Sequence, residues 1–139
     1  MELRKSNTSL KNEDLTNFEK DLNVKLPDSF KKFYLSFNGG IPSHRYFKGN
    51  RIASFCPIKY GGENQIENVI KSLGEVNRLP QGFIPFAFDS GGWYFCVNLG
   101  MSNNGLIYML PNGLEDQSPI FVAQSFADFI SNLSVEDDY

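Results

Sequence analysis

Apolar residues recur at helical spacing near the start of the chain. Leu15, Phe18 and Leu22 lie three and four residues apart, the spacing of one face of an α-helix. Asn12 precedes them as a candidate N-cap, and acidic residues follow it in the first turn, where they favour the helix dipole. The pattern predicts an amphipathic helix from residue 12 with a narrow apolar face.

A second helix is predicted directly after Leu26 and Pro27. Proline suits the first turn of a helix, because its missing N–H costs no hydrogen bond there. The following apolar residues form one continuous aromatic stripe at i, i+3, i+4 and i+7, namely Phe30, Phe33, Tyr34 and Phe37. Gly39 and Gly40 come next, and we interpret them as the C-cap and turn that end this helix, because glycine takes a positive φ without steric cost.

The middle of the chain predicts a hairpin and a third helix. Two short apolar runs flank Gly49 and Asn50, a pair that supplies the positive φ of a tight turn. From 63 to 73 the apolar residues return to helical spacing, and Gly74 follows as a stop signal. This half of the chain is therefore rich in helix.

The second half predicts an antiparallel meander closed by a helix. Strand-like runs are separated by turn residues at their joints, and the last apolar segment begins with Ser125 as N-cap and Asp128 at the capping-box position. The predicted strands are 83–89, 93–99, 106–110 and a short one at 120–122. Helices followed by a run of strands favour an α+β fold with an antiparallel-rich mixed sheet and about four helices.

The second glycine pair, Gly91 and Gly92, lies between Asp89 and Trp93 in the first predicted hairpin. Paired glycines permit the φ values of a tight turn, and an Asp side chain can accept hydrogen bonds from the turn's backbone. A phosphate-binding loop would instead lead into a helix. Both glycine pairs therefore predict turns, and no nucleotide or other cofactor is expected.

Length and composition set the class of protein. The 139 residues match a single domain, which we assign to 1–139 with a core at 12–133 and a frayed tail at 134–139. Hydrophobic residues make up 41% of the chain, and 13 Phe with 6 Tyr predict an aromatic core. The polar start of the chain lacks the apolar run of a signal peptide or membrane span, so we expect a cytoplasmic protein.

Charge and cysteine content argue against binding of nucleic acids and metals. The formal net charge of −3 and the absence of a basic run argue against a nucleic-acid binder. Cys56 and Cys96 are far apart in sequence and lie among apolar residues, which favours buried, reduced thiols over a disulfide or a metal site.

The chain resembles the SUKH superfamily, which takes in the yeast cell-wall synthesis regulator and bacterial relatives. FEKDLNVKLPDSFKKFYLSFNGG is similar to its N-terminal signature, IPFAFDSGGWYFCVNL to its second signature, and VAQSFADFISNL to its closing helix. Many members carry a further acidic residue in the strand after the glycine pair, where this chain ends its strand with Asn98. The resemblance implies a non-catalytic protein-binding role, for most bacterial members that of an immunity protein that neutralises a cognate toxin.

The alternative hypothesis is a small-molecule-binding protein or small hydrolase. It would use Asp89, His44 and one of the two cysteines, and so needs the fold to bring these residues together in a pocket. A single His cannot form a multi-histidine metal site, so no metal is expected.

Acidic side chains without a predicted cap or turn role are candidates for contact with a partner. Glu63 and Glu67 are one turn apart on the exposed side of the predicted third helix, and Glu115 and Asp116 lie in the loop after Pro111. A nuclease toxin needs cationic residues to hold phosphates, and these carboxylates would attract such residues. The same argument gives less weight to Glu136, Asp137 and Asp138 in the tail.

Overall fold

Four α-helices and two antiparallel sheets make up the part of the chain that the computed structural model describes, residues 1–100, 105–112 and 118–136. The helices are α1 (Asn12–Leu22), α2 (Asp28–Ser36), α3 (Ile66–Glu75) and α4 (Phe126–Ser131). The strands are β1 (Leu3–Arg4), β2 (Ile41–Pro42), β3 (Tyr46–Phe47), β4 (Asn50–Phe55), β5 (Phe83–Asp89), β6 (Tyr94–Asn98), β7 (Leu106–Leu110) and β8 (Ile120–Ala123).

The main sheet has six strands in the order β3-β4-β5-β6-β7-β8, and β1 pairs with β2 in a small second sheet. The predicted single-domain α+β fold with four helices is confirmed. Every strand pair within the described ranges is antiparallel. The sheet was expected to be antiparallel-rich but mixed, and these pairs include no parallel one. Most sequential strands are joined by connections too short for the crossover that a parallel pair needs. The connection from β4 to β5 contains α3, yet these two strands also pair antiparallel.

Helix α1 begins where the sequence predicts, but its cap differs. Asn12 is the first helical residue rather than the N-cap, and Lys11 occupies the cap position. The Asp14 carboxylate accepts the Lys11 backbone N–H at 2.9 Å, which satisfies a donor at the helix start. The acidic first turn therefore caps the helix through Asp14 and not through the amide of Asn12.

Helix α2 follows Pro27 as predicted but ends earlier than the aromatic stripe. Phe30 and Tyr34 are fully buried, whereas Phe33 is half-buried and Phe37 already has an extended backbone, with φ −142°. Phe37 is therefore the C-cap, and the assignment of the C-cap to the glycines is wrong. The predicted positive φ is confirmed at Gly39, one residue beyond Asn38.

The core is aromatic, as the composition predicts. The ring of Phe30 stacks on Tyr34 with centroids 4.6 Å apart and contacts Phe126 of α4 at 4.8 Å. Phe86 of β5 meets Phe126 edge-on at 5.2 Å. Aromatic side chains of α2, α4 and the sheet thus form one packed cluster.

The middle of the chain differs from the sequence prediction in three details. The β3–β4 turn is formed by Lys48 and Gly49, with φ 47° and 85°, one residue earlier than predicted. Gly74 lies inside α3, which continues to Glu75, so it is not a stop signal. Glu63 lies in a separate 3₁₀-helix, Gly62–Asn64, and not on α3.

The strands of the second half follow the predicted pattern closely. β5 and β7 have the predicted bounds, β6 is one residue shorter at each end, and β8 is one residue longer. The Ser125 hydroxyl accepts the Asp128 backbone N–H at 3.0 Å and so caps α4 as predicted. Turn residues at the joints of alternating apolar runs are strong signals, which is why these elements could be predicted well.

Both ends of the described chain contact the fold. Leu3 and Leu10 lie in the hydrophobic core, although they precede the core assigned from the sequence. Ser134 forms an antiparallel bridge with Tyr46 of β3, with backbone hydrogen bonds of 2.8 and 3.0 Å. None of the helices in the described ranges has the length and hydrophobicity that a membrane span needs.

Candidate functional site

The first glycine pair lets two backbone segments approach each other closely. A Cβ on Gly39 would lie 2.7 Å from the backbone nitrogen of Pro57, and one on Gly40 would lie 2.5 Å from the Arg4 carbonyl oxygen. The backbone of Gly40 also exchanges hydrogen bonds with Phe55, at 2.8 and 3.1 Å. The pair therefore joins α2 to the sheet at two positions that have no room for a side chain.

Asn38, which the sequence prediction treated only as part of a helix end, anchors the same region. Its side-chain NH₂ donates to the carbonyl oxygens of Thr8 at 2.8 Å and Ile58 at 3.0 Å, and its oxygen accepts the Ile58 N–H at 2.7 Å. The side chain is buried. The sequence feature that could have indicated this role is a polar residue between the aromatic stripe and two glycines.

The second glycine pair forms the predicted β5–β6 turn. Asp89 Oδ1 accepts the backbone N–H of Gly91 at 2.8 Å and of Trp93 at 2.9 Å. Gly92 has φ 83°, the conformation that glycine adopts most readily. The predicted role of Asp89 in the turn is confirmed.

The residues of the alternative hydrolase hypothesis have separate surroundings. His44 has its side-chain hydrogen bond with the Ser43 hydroxyl, at 3.1 Å, while Asp89 binds the turn. Both cysteines are free and fully buried, as predicted. Burial raises the pKa of Cys56 to about 12 and that of Cys96 still further, so both thiols stay protonated. No hydrogen bond links His44 or Asp89 to either thiol within the described residues.

The described parts of the chain contain no group of three or more His, Cys, Asp or Glu side chains that could hold a metal ion. The structure instead forms a groove of about 260 Å³ between α1 and α3 that the sequence prediction missed. Three carboxylates and one ammonium group line it, those of Asp14, Asp21, Glu67 and Lys59. Its net charge is negative, because the three carboxylates outnumber the single cation.

Lys59 connects the two sides of this groove. Its ammonium group donates to Asp14 Oδ1 at 2.8 Å, and its backbone N–H contacts both carboxylate oxygens of Glu67, at 2.9 and 3.3 Å. The hydrogen bond from Lys59 lowers the pKa of Asp14. Desolvation by burial raises the pKa of Glu67, and the charge of Asp21 raises it further.

The candidate partner-binding residues therefore differ in their freedom to contact a partner. Glu63 is exposed on the 3₁₀-helix, while Glu67 is half-buried and holds the backbone of Lys59. The prediction that Glu63 and Glu67 are neighbours on one helix is therefore wrong. Glu115 and Asp116 lie outside the described residues.

Comparison with known proteins decides the family. The model of the SMI1 / KNR4 family (SUKH-1) matches residues 9–132, almost the whole chain. The chain belongs to this family. No curated protein matches it in sequence.

Among solved structures, this SUKH-1 chain is similar to the crystal structure of a protein from Pseudomonas syringae pv. tomato. The TM-score is 0.62 with 15% sequence identity, and the alignment covers 97% of this chain and 89% of that one. At this identity the likeness supports a shared fold only.

The SUKH signature residues of this chain bind its own backbone. Glu19, in the first signature, accepts the backbone N–H of Leu26 at 2.7 Å and so fixes the turn between α1 and α2. Asn38 and Asp89 hold the two glycine-containing turns in the same manner. These signature residues therefore stabilise the turns of the fold.

Proposed function

We propose that this chain is a non-catalytic protein-binding module, an immunity protein that binds and neutralises a cognate toxin. The observation that carries the proposal is the SUKH-1 match over residues 9–132. The bacterial branch of this family includes toxin-immunity proteins, which act by binding another protein.

The surroundings of the polar signature residues also favour binding over catalysis. Glu19, Asn38 and Asp89 each hold a turn through backbone hydrogen bonds of 2.7 to 3.0 Å. A general base needs access to a substrate proton, and a nucleophilic thiol needs to ionise. The buried cysteines, with raised pKa values, are poor nucleophiles.

The acidic side of the molecule is the surface that we propose for the partner. Glu63 is exposed, and the groove beside it carries Asp21 at its rim and the half-buried Glu67. Glu115 and Asp116 form the second proposed patch. A nuclease toxin would present cationic side chains, and opposite charges at an interface increase the association rate and the selectivity of binding.

The first experiment tests the function itself. We expect a toxin domain to be encoded beside this chain's gene. That domain is co-expressed with the chain, and the two purified proteins are then titrated by calorimetry. We expect rescue of growth and a one-to-one complex, since a standard interface of ~800 Å² on each partner suffices for tight binding. Toxicity unchanged by co-expression, together with no heat of binding, would contradict the proposed function.

The second experiment tests the surface. Glu63→Lys and Asp21→Lys reverse exposed charges without removing a hydrogen bond of the fold, whereas reversal of Glu67 would also release the Lys59 backbone. Glu75→Lys, an equally exposed change at the far end of α3, is the matched control. We expect the first two variants, or reversal of Glu115 and Asp116, to slow association more than the control, and the wild-type rate to fall as salt rises. A salt-independent rate with equal values for all variants would place the interface elsewhere.

A further inference from the structure

A cavity of about 520 Å³ opens between the turn after α1 and the end of β6. Residues 22–24, 81–82 and 98–100 line it, and all of them lie in the described ranges. None of these residues is charged, and three of them have carboxamide side chains, namely Asn23, Gln81 and Asn98. The cavity is therefore neutral, unlike the groove between α1 and α3, and its volume lies in the range of small-ligand sites, ~300–1,000 Å³.

Asn98 has a free hydrogen-bond donor although the residue is almost completely buried. It is 7% exposed, and its Oδ1 accepts the backbone N–H of Gly100 at 2.9 Å. This contact fixes the orientation of the amide, because the flipped orientation would set the NH₂ group of Asn98 against the N–H of Gly100. Nδ2 donates to no acceptor among the described residues. Both hydrogens of this NH₂ group therefore lack a protein partner there.

The amide of Asn98 is also accessible. In the described ranges the one enclosed side-chain nitrogen or oxygen atom without a partner is Nε of Arg78, so the unpartnered Nδ2 of Asn98 is not enclosed. Two glycines leave space around the amide, since a Cβ on Gly100 would lie 3.0 Å from Oδ1 and one on Gly82 would lie 3.6 Å from it. The cavity that Asn98 lines is therefore where its amide is open to a ligand.

The chemistry of this amide selects the kind of ligand. An amide oxygen has two acceptor sites, and Gly100 uses one of those on Asn98 Oδ1. A second carboxamide complements Asn98, because its oxygen accepts from Nδ2 while its NH₂ group donates to Oδ1. A carboxylate has no hydrogen for Oδ1, and an ammonium group has no acceptor for Nδ2. An adenine edge also pairs with Asn, but bound bases stack on aromatic or Arg side chains, and the lining of this cavity contains neither.

We propose that this cavity binds an uncharged carboxamide, the side chain of a Gln or Asn on a partner protein, and that Asn98 recognises it. The inference rests on the proposed protein-binding function and adds to it a contact that carries no charge. Leu22, Val24 and Leu99 supply apolar walls for the methylene groups of the inserted side chain. The acidic surface then attracts the partner, while the cavity selects an uncharged group on it.

Blocked amino acids are the probes for the first test, an NMR titration of the full chain. N-acetyl-glutamine N-methylamide is compared with the same derivatives of glutamate and norleucine, which share its two backbone amides but lack the side-chain carboxamide. We expect the glutamine probe to shift the side-chain NH₂ signals of Asn98 and the amide signal of Gly100 in a saturable manner, and the other two to leave them unchanged. No shift with the glutamine probe, or equal shifts with all three, overturns the proposal. Tighter binding of adenosine than of the glutamine probe also overturns it, in favour of a base.

Two variants test the residues that the proposal names. Asn98→Asp keeps an acceptor for the Gly100 N–H but replaces the NH₂ donor, and Gln81→Trp places a bulky side chain at an exposed position of the lining. We expect each to weaken binding of the glutamine probe at least about tenfold. Asn17→Asp, the same change on the exposed face of α1, is the matched control and should bind like the wild type. Wild-type affinity in Gln81→Trp, or in folded Asn98→Asp, overturns the proposal.

Calorimetry with the toxin domain separates this inference from the proposed function. We expect Gln81→Trp and Asn98→Asp to weaken the complex at least about tenfold, and Asn17→Asp to leave it unchanged. A toxin that binds the wild type and both cavity variants equally overturns the inference and leaves the proposed function intact. A toxin that does not bind the wild type contradicts the proposed function, and the glutamine probe then decides whether the cavity binds a carboxamide.

Discussion

Asn38→Ala tests how much of the stability depends on a single buried amide. The substitution removes three hydrogen bonds, with Thr8 and with both backbone groups of Ile58. Ile58 is buried, so its N–H loses its partner without access to water, whereas its C=O still accepts the Tyr60 N–H at 2.7 Å and the exposed Thr8 can bind solvent. At ~1–3 kcal/mol for the buried N–H left unpaired and ~1 kcal/mol for the second hydrogen bond of the carbonyl, we expect a loss of ~2–4 kcal/mol.

This loss is a large part of the free energy of unfolding of a domain, which is typically ~5–15 kcal/mol. Urea unfolding followed by circular dichroism and by the fluorescence of Trp93 measures it. Asn17→Ala is the matched control, an exposed asparagine on α1, and should change the stability by about 0.5 kcal/mol or less. A loss below about 1 kcal/mol for Asn38→Ala would refute the reasoning, because such values are typical of surface substitutions.

Asn38→Asp adds a pH test at the same position. The carboxylate keeps an acceptor for the Ile58 N–H but faces the carbonyl oxygens of Thr8 and Ile58, so that burial and repulsion raise its pKa in the folded state. A raised folded pKa gives stability that is present at low pH and lost as the pH rises through that pKa. Relative to the wild type, the variant should therefore be more stable near about pH 4 than near about pH 7. Parallel pH profiles of the two proteins would contradict the assigned contacts.

Three further predictions concern the core, the first glycine pair and the thiols. Phe33→Ala should cost about 3 kcal/mol in urea unfolding, since the half-buried ring contacts Phe55 and Phe126 on neighbouring elements; a loss under about 1 kcal/mol would show that the stripe faces solvent. Gly39→Val should cost more than Ser36→Val, because Gly39 has φ 77° and no room for a Cβ, and equal unfolding midpoints would contradict this. Cys56 and Cys96 should react with a thiol reagent such as Ellman's reagent only after unfolding, and rapid labelling of the native protein would disprove their burial.

The strands of the second half were predictable because local signals and tertiary packing agree there. In β5 and β7, runs of apolar residues lie between turn residues, and the bounds of both strands match the prediction. Asp89 and the glycines beside it act within four residues of one another, so their turn could also be read from the sequence.

Features that depend on distant contacts could not be predicted in this way. β1 and β2 have two residues each and exist because Leu3 pairs with Pro42, a pairing without periodicity. Gly74 should weaken a helix by about 1 kcal/mol relative to Ala, but the buried residues Val69 and Leu73 of α3 outweigh that cost. The acidic groove likewise combines residues from α1, a turn and α3, and its charges have no common spacing.

The order of strands in the main sheet has a consequence for how this protein folds. Every pair from β3 to β8 joins neighbours in the chain, and except between β4 and β5, where α3 intervenes, each new strand closes a short loop as it is added. Loop closure is least costly for short loops. The pairs Leu3–Pro42 and Tyr46–Ser134 close much longer loops. We expect the meander to form early and these two contacts to form last, so that mutations at them speed unfolding while leaving the folding rate unchanged.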